Sequence, residues 1–399
     1  MNDTTSTVIA VEGSRVFEDA PVTDHRTRTY AMVSTYPPTQ CGIATFAAAL
    51  SGGLYEYGDD VGIVRVGADG EAPAKIVIAE LNSQDELEMI DAMDALNRAD
   101  IVIVQHEYGI YDGADGESIV DVLEAIERPT IVVAHTVLEH PTPHQRSVLE
   151  AVVRAADAVV VMTEAGRVRL CSNFDVDARK ISVIPHGAAV SSAVRLEDSK
   201  ERPRLLTWGL LGPGKGIEWA IDALAMVDDL RPKPIYVVAG NTHPKVHEYE
   251  GDVYRDMLMQ RAKDRRVDVI FDPEYRSLAS LAQLISESTM VILPYDSPDQ
   301  VTSGVLVDAI AAGRPVIATA FPHAVELLSS GAGIVVPRHD PKALADAIRT
   351  ALTTPGMVNA MAGEARRLAP DLAWPVIASR YAALGEELLD NRAPLSANR

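Results

Sequence analysis

Two successive series of short Val/Ile-rich runs, each alternating with helical patterns, constrain the fold of this chain more than any other feature. The runs of the first series are Ala31–Thr35, Gly62–Val66, Lys75–Ala79, Ile101–Gln105, Thr130–Ala134, Ala158–Met162 and Ile181–Ile184. Those of the second are Arg204–Trp208, Ile235–Ala239, Val267–Phe271, Met290–Leu293, Pro315–Thr319 and Gly333–Val336. Most are continuous apolar runs, which is typical of parallel strands buried on both faces. The pattern predicts an α/β chain with two doubly wound, Rossmann-like domains facing each other across a cleft.

A polar segment from Ser191 to Pro203 divides the two series and is interpreted as the linker. We expect a loose tail over residues 1–28, an N-terminal domain over residues 29–195 and a C-terminal domain over residues 203–371. In sheets of this kind ligands bind at the carboxyl ends of the strands. The turns that follow the predicted strands are therefore where a functional site is expected.

The composition suits a soluble enzyme and argues against several classes of function. The chain has 399 residues, of which 47% are hydrophobic and 23% charged. A formal net charge of −21 argues against binding to nucleic acid, because a phosphate backbone requires a basic footprint. No apolar run approaches the roughly 20 residues of a membrane-spanning helix, so we expect a cytoplasmic protein, with peripheral attachment at the inner membrane face left open. The two cysteines, Cys41 and Cys171, support neither a disulfide framework nor a zinc site.

The segment from Gln300 to Asp308 has the pattern of an anion-binding turn. It follows a predicted buried strand, and Thr302, Ser303 and Gly304 stand where the next helix begins. A Ser or Thr cap and the positive end of the helix dipole favour an anionic ligand there. Gln300 and Asp308 flank the turn with groups suited to sugar or ribose hydroxyls. The segment predicts a nucleotide-sugar site.

A glycine-rich turn from Gly209 to Gly216 also lies between a predicted strand and a predicted helix. Its glycines let the backbone approach a phosphate, and Lys215 adds a positive charge at the N-terminus of the helix. Gly209, Gly214 and Lys215 have the spacing of a P-loop, but Gly216 replaces the hydroxyl that would hold Mg²⁺. The turn is therefore interpreted as a phosphate site outside the P-loop class, and a purely structural turn stays the alternative.

Polar residues of the first half also fall at predicted strand ends. Gly42 opens a helix after the first strand, where it could lie against a ligand. His106, His135 and His186 each follow a strand, and we expect the three side chains to converge on the cleft. A zinc site is the competing interpretation, but the chain has no His-Glu-x-x-His motif and no close His/Cys cluster, so no metal is predicted.

Taken together, these residues resemble the retaining glycosyltransferases of family 4, which have the GT-B fold. The resemblance extends from about Tyr30 to Tyr381. The motifs that carry it are Cys41-Gly42-Ile43-Ala44-Thr45-Phe46, Gln105-His106-Glu107-Tyr108-Gly109-Ile110, Ile184-Pro185-His186-Gly187, Gly214-Lys215-Gly216, and Asp308-Ala309 with Ala312-Gly313-Arg314-Pro315-Val316-Ile317-Ala318-Thr319. In this fold the last helix, here within residues 372–391, crosses back to the N-terminal domain.

The resemblance implies a metal-independent transfer of a hexose from a nucleoside diphosphate sugar, of the GDP-mannose or UDP-glucose type, to an acceptor hydroxyl. No bound cofactor is implied, and the acceptor would be a carbohydrate or a lipid-linked molecule. Lys215, His135 and Gln300 would be the catalytic residues, with Lys215 and helix N-termini stabilising the leaving diphosphate.

The same resemblance implies two sets of binding residues. Those expected to contact the donor are Gly42, His186, Gly214, Pro273, Tyr275, Thr302, Ser303, Gly304, Asp308 and Glu326. Those expected on the acceptor side are His106, Glu107 and Tyr108. Glu326 stands in a predicted first helical turn, where a carboxylate is stabilising in any case.

Two features depart from the family pattern. Gln300 and Asp308 stand where the family usually has two glutamates, and Leu210 stands where it usually has an arginine five positions before the phosphate-binding lysine. Two other functions therefore stay open. One is a sugar-nucleotide epimerase of the same fold, and the other is a non-catalytic protein that binds nucleotide sugars.

Overall fold

The computed structural model describes residues 26–67, 74–190, 202–274, 276 and 278–392. Most of the predicted tail and most of the predicted linker lie outside these residues. The strands are β1 (Thr29–Ser34), β2 (Asp60–Val66), β3 (Val77–Leu81), β4 (Ile101–His106), β5 (Thr130–Ala134), β6 (Ala158–Val161), β7 (Ile181–Val183), β8 (Arg204–Trp208), β9 (Ile235–Ala239), β10 (Val269–Asp272), β11 (Met290–Leu293), β12 (Val316–Thr319) and β13 (Gly333–Val336). The helices are α1 (Gly42–Tyr57), α2 (Glu86–Arg98), α3 (Ser118–Ala125), α4 (Pro143–Ala155), α5 (Glu164–Asn173), α6 (Ile217–Ala225), α7 (Pro244–Glu250), α8 (Val253–Arg265), α9 (Leu278–Ser286), α10 (Gly304–Ala311), α11 (Pro322–Leu328), α12 (Pro341–Thr353), α13 (Met357–Leu368) and α14 (Trp374–Arg392).

The strands form two separate parallel sheets. The N-terminal sheet has the order β3-β2-β1-β4-β5-β6-β7, and the C-terminal sheet has the order β10-β9-β8-β11-β12-β13. In each sheet the strand order changes direction beside the first strand of the domain. This switch lies between β1 and β4 in one sheet and between β8 and β11 in the other. Such switch points leave a crevice at the carboxyl ends of the strands. The prediction of two doubly wound, Rossmann-like domains is confirmed.

Helices cover both faces of each sheet, which explains the continuous apolar runs. On β4, Val102 and Val104 face one core, whereas Ile101 and Ile103 face the other. Since side chains alternate along a strand, a strand buried on both sides has no polar face.

The last helix, α14, packs on the N-terminal domain beside α1. Ile377 and Tyr381 are fully buried in the same core as Leu50 of α1. Close to this helix, Ala188 and Ala373 form a parallel bridge. The segment that leaves the N-terminal domain and the segment that returns to it therefore lie side by side. The expected return of the last helix to the N-terminal domain is confirmed.

The predicted strand starts differ from the structure by up to two residues. β3 and β10 each begin two residues later than the predicted strands Lys75–Ala79 and Val267–Phe271. β1 and β2 each begin two residues earlier than the predicted strands Ala31–Thr35 and Gly62–Val66, because polar residues at their starts already pair in the sheet. In the described part of the chain, no helix combines the length and the apolar character that crossing a membrane requires.

Candidate active site

The glycine-rich turn after β8 places Lys215 beside the loop that follows β11. Gly216 has a φ of 65°, and a Cβ there would overlap the Pro294 carbonyl oxygen. The Lys215 Nζ atom lies 4.8 Å from the centre of the Tyr295 ring, which is a cation–π contact. Burial lowers the pKa of Lys215, and no carboxylate of a described residue pairs with it. Gly214 is exposed in the same turn, so an anion has access to this cation.

The N-terminus of α10 is held by a histidine from α11. Ser303 is the N-cap, and its hydroxyl accepts a hydrogen bond from the Leu306 N–H. The Ser303 N–H donates to Nδ1 of the buried His323 at 2.9 Å, so the amide of Ser303 is already engaged. Of the three amides expected to bind phosphate or sugar, those of Thr302 and Gly304 have no hydrogen-bond acceptor among the described residues.

Asp308 and Gln300 lie on either side of this helix start and differ in their surroundings. Asp308 is half-buried, has no hydrogen-bond or ion-pair partner among the described residues, and burial raises its pKa to about 7. A carboxylate of this kind is suited to receive hydroxyl groups from a ligand. The Gln300 amide nitrogen, in contrast, donates to the Thr302 carbonyl oxygen and so braces the loop itself.

Two histidines of the N-terminal domain flank Phe46 at the cleft. The His135 and His186 rings lie 4.9 and 5.0 Å from the Phe46 ring. His135 donates from Nε2 to the Gln105 side-chain oxygen at 2.7 Å, which leaves Nδ1 as an acceptor. His186 donates from Nδ1 to the Gly187 carbonyl at 2.6 Å, which leaves Nε2 as an acceptor. Burial lowers the pKa of His135 to about 3 and that of His186 to about 4, so both rings are neutral.

His186 reaches the other domain at the start of α10. Its Nε2 atom lies 2.9 Å from the position that a Cβ on Gly304 would occupy. Thus the neutral Nε2 acceptor of His186, from the N-terminal domain, and the N-terminus of α10, from the C-terminal domain, meet at the same point of the cleft.

The side chains at the end of β4 and in the segment after it differ in burial: some are half-buried and one is fully buried in the core. Glu107 is half-buried and bonds the Thr136 hydroxyl, and burial raises its pKa. The Tyr108 hydroxyl donates to the Gln145 carbonyl at 3.4 Å. His106 is fully buried, and neither of its ring nitrogens has a hydrogen-bond partner among the residues that the structure describes. The structure therefore brings His135 and His186 together at the cleft but encloses His106 beneath it. Gly42 is exposed at the start of α1, with open space within 4 Å of a Cβ built on it.

Glu326, expected to contact the donor, instead connects the two domains. Its carboxylate accepts the N–H groups of Glu164 at 3.0 Å and Ala165 at 2.9 Å, at the N-terminus of α5. Thr163 completes the contact, since its hydroxyl donates to the Val301 carbonyl at 2.9 Å. Both oxygens of Glu326 are engaged by the opposite domain, so a donor would have to displace this contact.

A cavity of about 410 Å³ lies at this domain boundary and is lined by Glu139, Arg169, Glu326 and Arg338 among others. Of the predicted site residues only Glu326 lines it. Apart from Glu326, the predicted site residues therefore lie outside this open, shallow pocket.

Pro273, expected to contact the donor, is exposed just after β10. Asp272 beside it is paired with Arg276, which fixes the turn. Tyr275 lies outside the described residues. Among those residues, no three His, Cys, Asp or Glu side chains are grouped as metal ligands would be.

Sequence reasoning missed His323 and the function of Gln105. Gln105 is fully buried and orients His135, and His323 orients the loop at α10. Both residues stand directly after or near a predicted strand end, which is the one local signal that could have indicated them. Their partners are 30 and 20 residues away, so the contacts themselves leave no local pattern.

Comparison with known families separates the chain into the same two halves. Residues 41–191 match the family model described as Glycosyltransferase Family 4, and residues 202–354 match the model described as Glycosyl transferases group 1. The chain belongs to glycosyltransferase family 4. The two matches fall on the two sheets, and together they include most of the predicted site.

Relatives and solved structures agree with this assignment. A D-inositol 3-phosphate glycosyltransferase of Kineococcus radiotolerans is 27% identical over 285 residues, which is 63% of this chain and 62% of the relative. One of Corynebacterium glutamicum is 26% identical over 290 residues, or 66% of this chain and 68% of the relative. Sucrose-phosphate synthase from Thermosynechococcus elongatus covers 91% of this chain and 100% of its own, with a TM-score of 0.73 at 17% identity. Anabaena HepE, in complex with UDP and glucose, covers 90% and 100% with a TM-score of 0.70 at 17% identity. The fold of this family 4 chain is GT-B.

Proposed function

We propose that this chain is a retaining glycosyltransferase that moves a hexose from a nucleoside diphosphate sugar to an acceptor hydroxyl without a bound metal. The observation that carries the proposal is the placement of Lys215 and the N-terminus of α10 after the neighbouring strands β8 and β11, with Tyr295 of the loop after β11 against the Lys215 ammonium group. Among the described residues, this half-buried cation has no carboxylate partner, and the amides of Thr302 and Gly304 have no acceptor. This combination stabilises negative charge that develops on a leaving diphosphate.

The reaction consists of one exchange at the anomeric carbon of the donor. The bond from that carbon to the diphosphate oxygen breaks, and the acceptor oxygen forms its bond on the same face. The departing diphosphate takes the acceptor proton. His135 is neutral, so it supports the reacting sugar by hydrogen bonding and orientation rather than by acting as a cation.

The donor and the acceptor are proposed from the relatives. UDP with glucose is the ligand in the HepE structure, which favours a UDP-sugar as the donor. A GDP-sugar is the second donor class to test. The relatives named D-inositol 3-phosphate glycosyltransferase suggest a polyol or sugar acceptor, with a phosphorylated polyol as the first to try.

A donor panel tests the proposal. Thermal unfolding of the purified chain is followed with UDP-, GDP- and ADP-sugars, in EDTA and in Mg²⁺, for wild type and for Lys215→Ala. A ligand of the native state raises the melting temperature by mass action. We expect one nucleotide to stabilise the wild type equally in EDTA and Mg²⁺, with the shift lost in the variant. Absence of a shift with every donor would contradict the proposed function.

A further inference from the structure

A second lysine, Lys245, lies at the start of α7, in the segment that follows β9, the strand next to β8. The loops after β8 and β9 run side by side, because Leu211 pairs with Thr242 and the His243 N–H donates to the Leu211 carbonyl at 2.8 Å. Lys245 follows two residues later, and its N–H donates to Nδ1 of His243 at 3.2 Å. The His243 ring therefore lies between the two lysine-bearing turns.

The electrostatics of His243 agree with this placement. Burial lowers its pKa, and the positive charges of Lys215 and then Lys245 lower it further. Both ammonium groups are thus close enough to the same imidazole to disfavour its protonation. A neutral imidazole can stand between two cations without adding a third charge.

Lys245 also spans the cleft. Its Nζ atom lies 3.1 Å from the position that a Cβ on Gly109 would occupy, in the segment after β4 of the N-terminal domain. Its positive charge acts on Glu107 of that same segment, although no ion pair is formed. The ammonium group is therefore in the open edge between the sheets.

The charge of Lys245 is uncompensated in an otherwise acidic chain. Lys233 pairs with Asp228 at 2.5 Å and Lys342 with Asp346 at 2.7 Å. Neither Lys215 nor Lys245 has such a partner within the described ranges, in a chain whose net charge is −21. Two unpaired cations facing one edge repel each other, and an anion between them would relieve the repulsion.

We propose that Lys245 is the second cation for the diphosphate of the donor. This inference rests on the proposed function, since it concerns the same ligand. A diphosphate carries at least two negative charges, and Lys215 supplies one positive charge from the turn after β8. Leu210, in that turn, is apolar, so the second charge comes from the turn after β9.

Calorimetric titration in EDTA tests the proposal with the nucleoside diphosphate that wild type binds, UDP or GDP, and with the corresponding monophosphate. We expect Lys245→Gln to weaken binding of the diphosphate about tenfold or more, about 1.4 kcal/mol. Binding of the monophosphate should weaken by less than about threefold. Lys245→Arg keeps the charge and should retain most of the affinity. Lys233→Ala removes a lysine that is paired with Asp228 and serves as the control.

A rescue variant sharpens the test. Leu210→Arg, added to Lys245→Gln, returns a cation to the turn after β8 and should restore selective binding of the diphosphate. Melting temperatures of the free variants verify that each is folded.

Three results separate the possible failures. If wild type binds no nucleoside diphosphate, the proposed function itself fails. If wild type binds and Lys245→Gln weakens both nucleotides equally or neither, the second-cation proposal is overturned while the proposed function stands. The proposal is likewise overturned if Lys245→Arg loses as much affinity as Lys245→Gln.

Discussion

The backbone N–H of Ser303 donates a hydrogen bond to Nδ1 of His323 at 2.9 Å. The ring is buried, and burial lowers its pKa to about 3, so it stays neutral with its proton on Nε2. A neutral histidine thus holds the N-cap of α10 in place from the next helix along the chain.

Replacing this histidine should loosen the start of α10. His323→Ala leaves the buried Ser303 N–H without an acceptor and opens a cavity, for a loss of about 2–4 kcal/mol of unfolding free energy. Urea unfolding measures the loss. The exposed His140→Ala variant is the control and should differ from wild type by less than about 0.5 kcal/mol. Equal stabilities of the two variants would show that the His323 contact contributes nothing.

Asp308 should make stability depend on pH in a defined direction. Its folded pKa of about 7 lies above the ordinary value of 3.8, so the folded chain keeps the proton to higher pH than the unfolded chain does. The stabilising contribution of the protonated form is present below pH 4 and is lost as the pH rises to 7.

Asp308→Asn isolates this effect, because it removes only the ionisation. Its melting temperature relative to wild type should rise between about pH 4 and 7 and level off above 7, by at most about 2–4 °C for each kcal/mol gained. Thermal unfolding of both proteins across this range gives the curve. A difference that is independent of pH would contradict the raised pKa.

Crowding at Gly216 should matter more than its left-handed backbone. Gly216 and Gly356 have φ values of 65° and 76°, but a Cβ on Gly216 overlaps the Pro294 carbonyl, whereas one on Gly356 meets no heavy atom within 4 Å. Gly356→Ala should cost about 1 kcal/mol of backbone strain, and Gly216→Ala at least about 2 kcal/mol more. Urea unfolding compares the two. Similar losses would mean that the close approach of the turns is unimportant.

The contact of Glu326 with α5 should be visible by hydrogen exchange. Without the carboxylate, the first two amides of α5 lose their acceptors, as at a deleted N-cap worth about 1 kcal/mol. In Glu326→Ala we expect the amides of Glu164 and Ala165 to exchange about fivefold faster, with Glu248→Ala, an exposed residue, as the control. Unchanged protection in Glu326→Ala would contradict a domain contact in solution.

The fold was predictable because it depends on local patterns. Parallel strands buried on both faces are continuous apolar runs, and the capping Ser303 marks the start of α10. The site was predictable only in part. Lys215 stands in the turn after β8 and Asp308 in the helix that follows β11, and their positions follow from topology. The contacts of Glu326 with Ala165 and of Lys245 with Gly109 join residues of different domains, and no spacing within one segment encodes them.

Turnover tests the central claim most directly. Release of nucleoside diphosphate is measured in EDTA with the donor that binds and with polyol and sugar acceptors, for wild type, Lys215→Ala and Lys233→Ala. We predict turnover by wild type and Lys233→Ala without metal, and a loss of about 100-fold or more in Lys215→Ala, since a cation that stabilises the leaving group contributes about 3 kcal/mol. Equal rates in wild type and Lys215→Ala, or a wild-type reaction that stops in EDTA, would contradict the account.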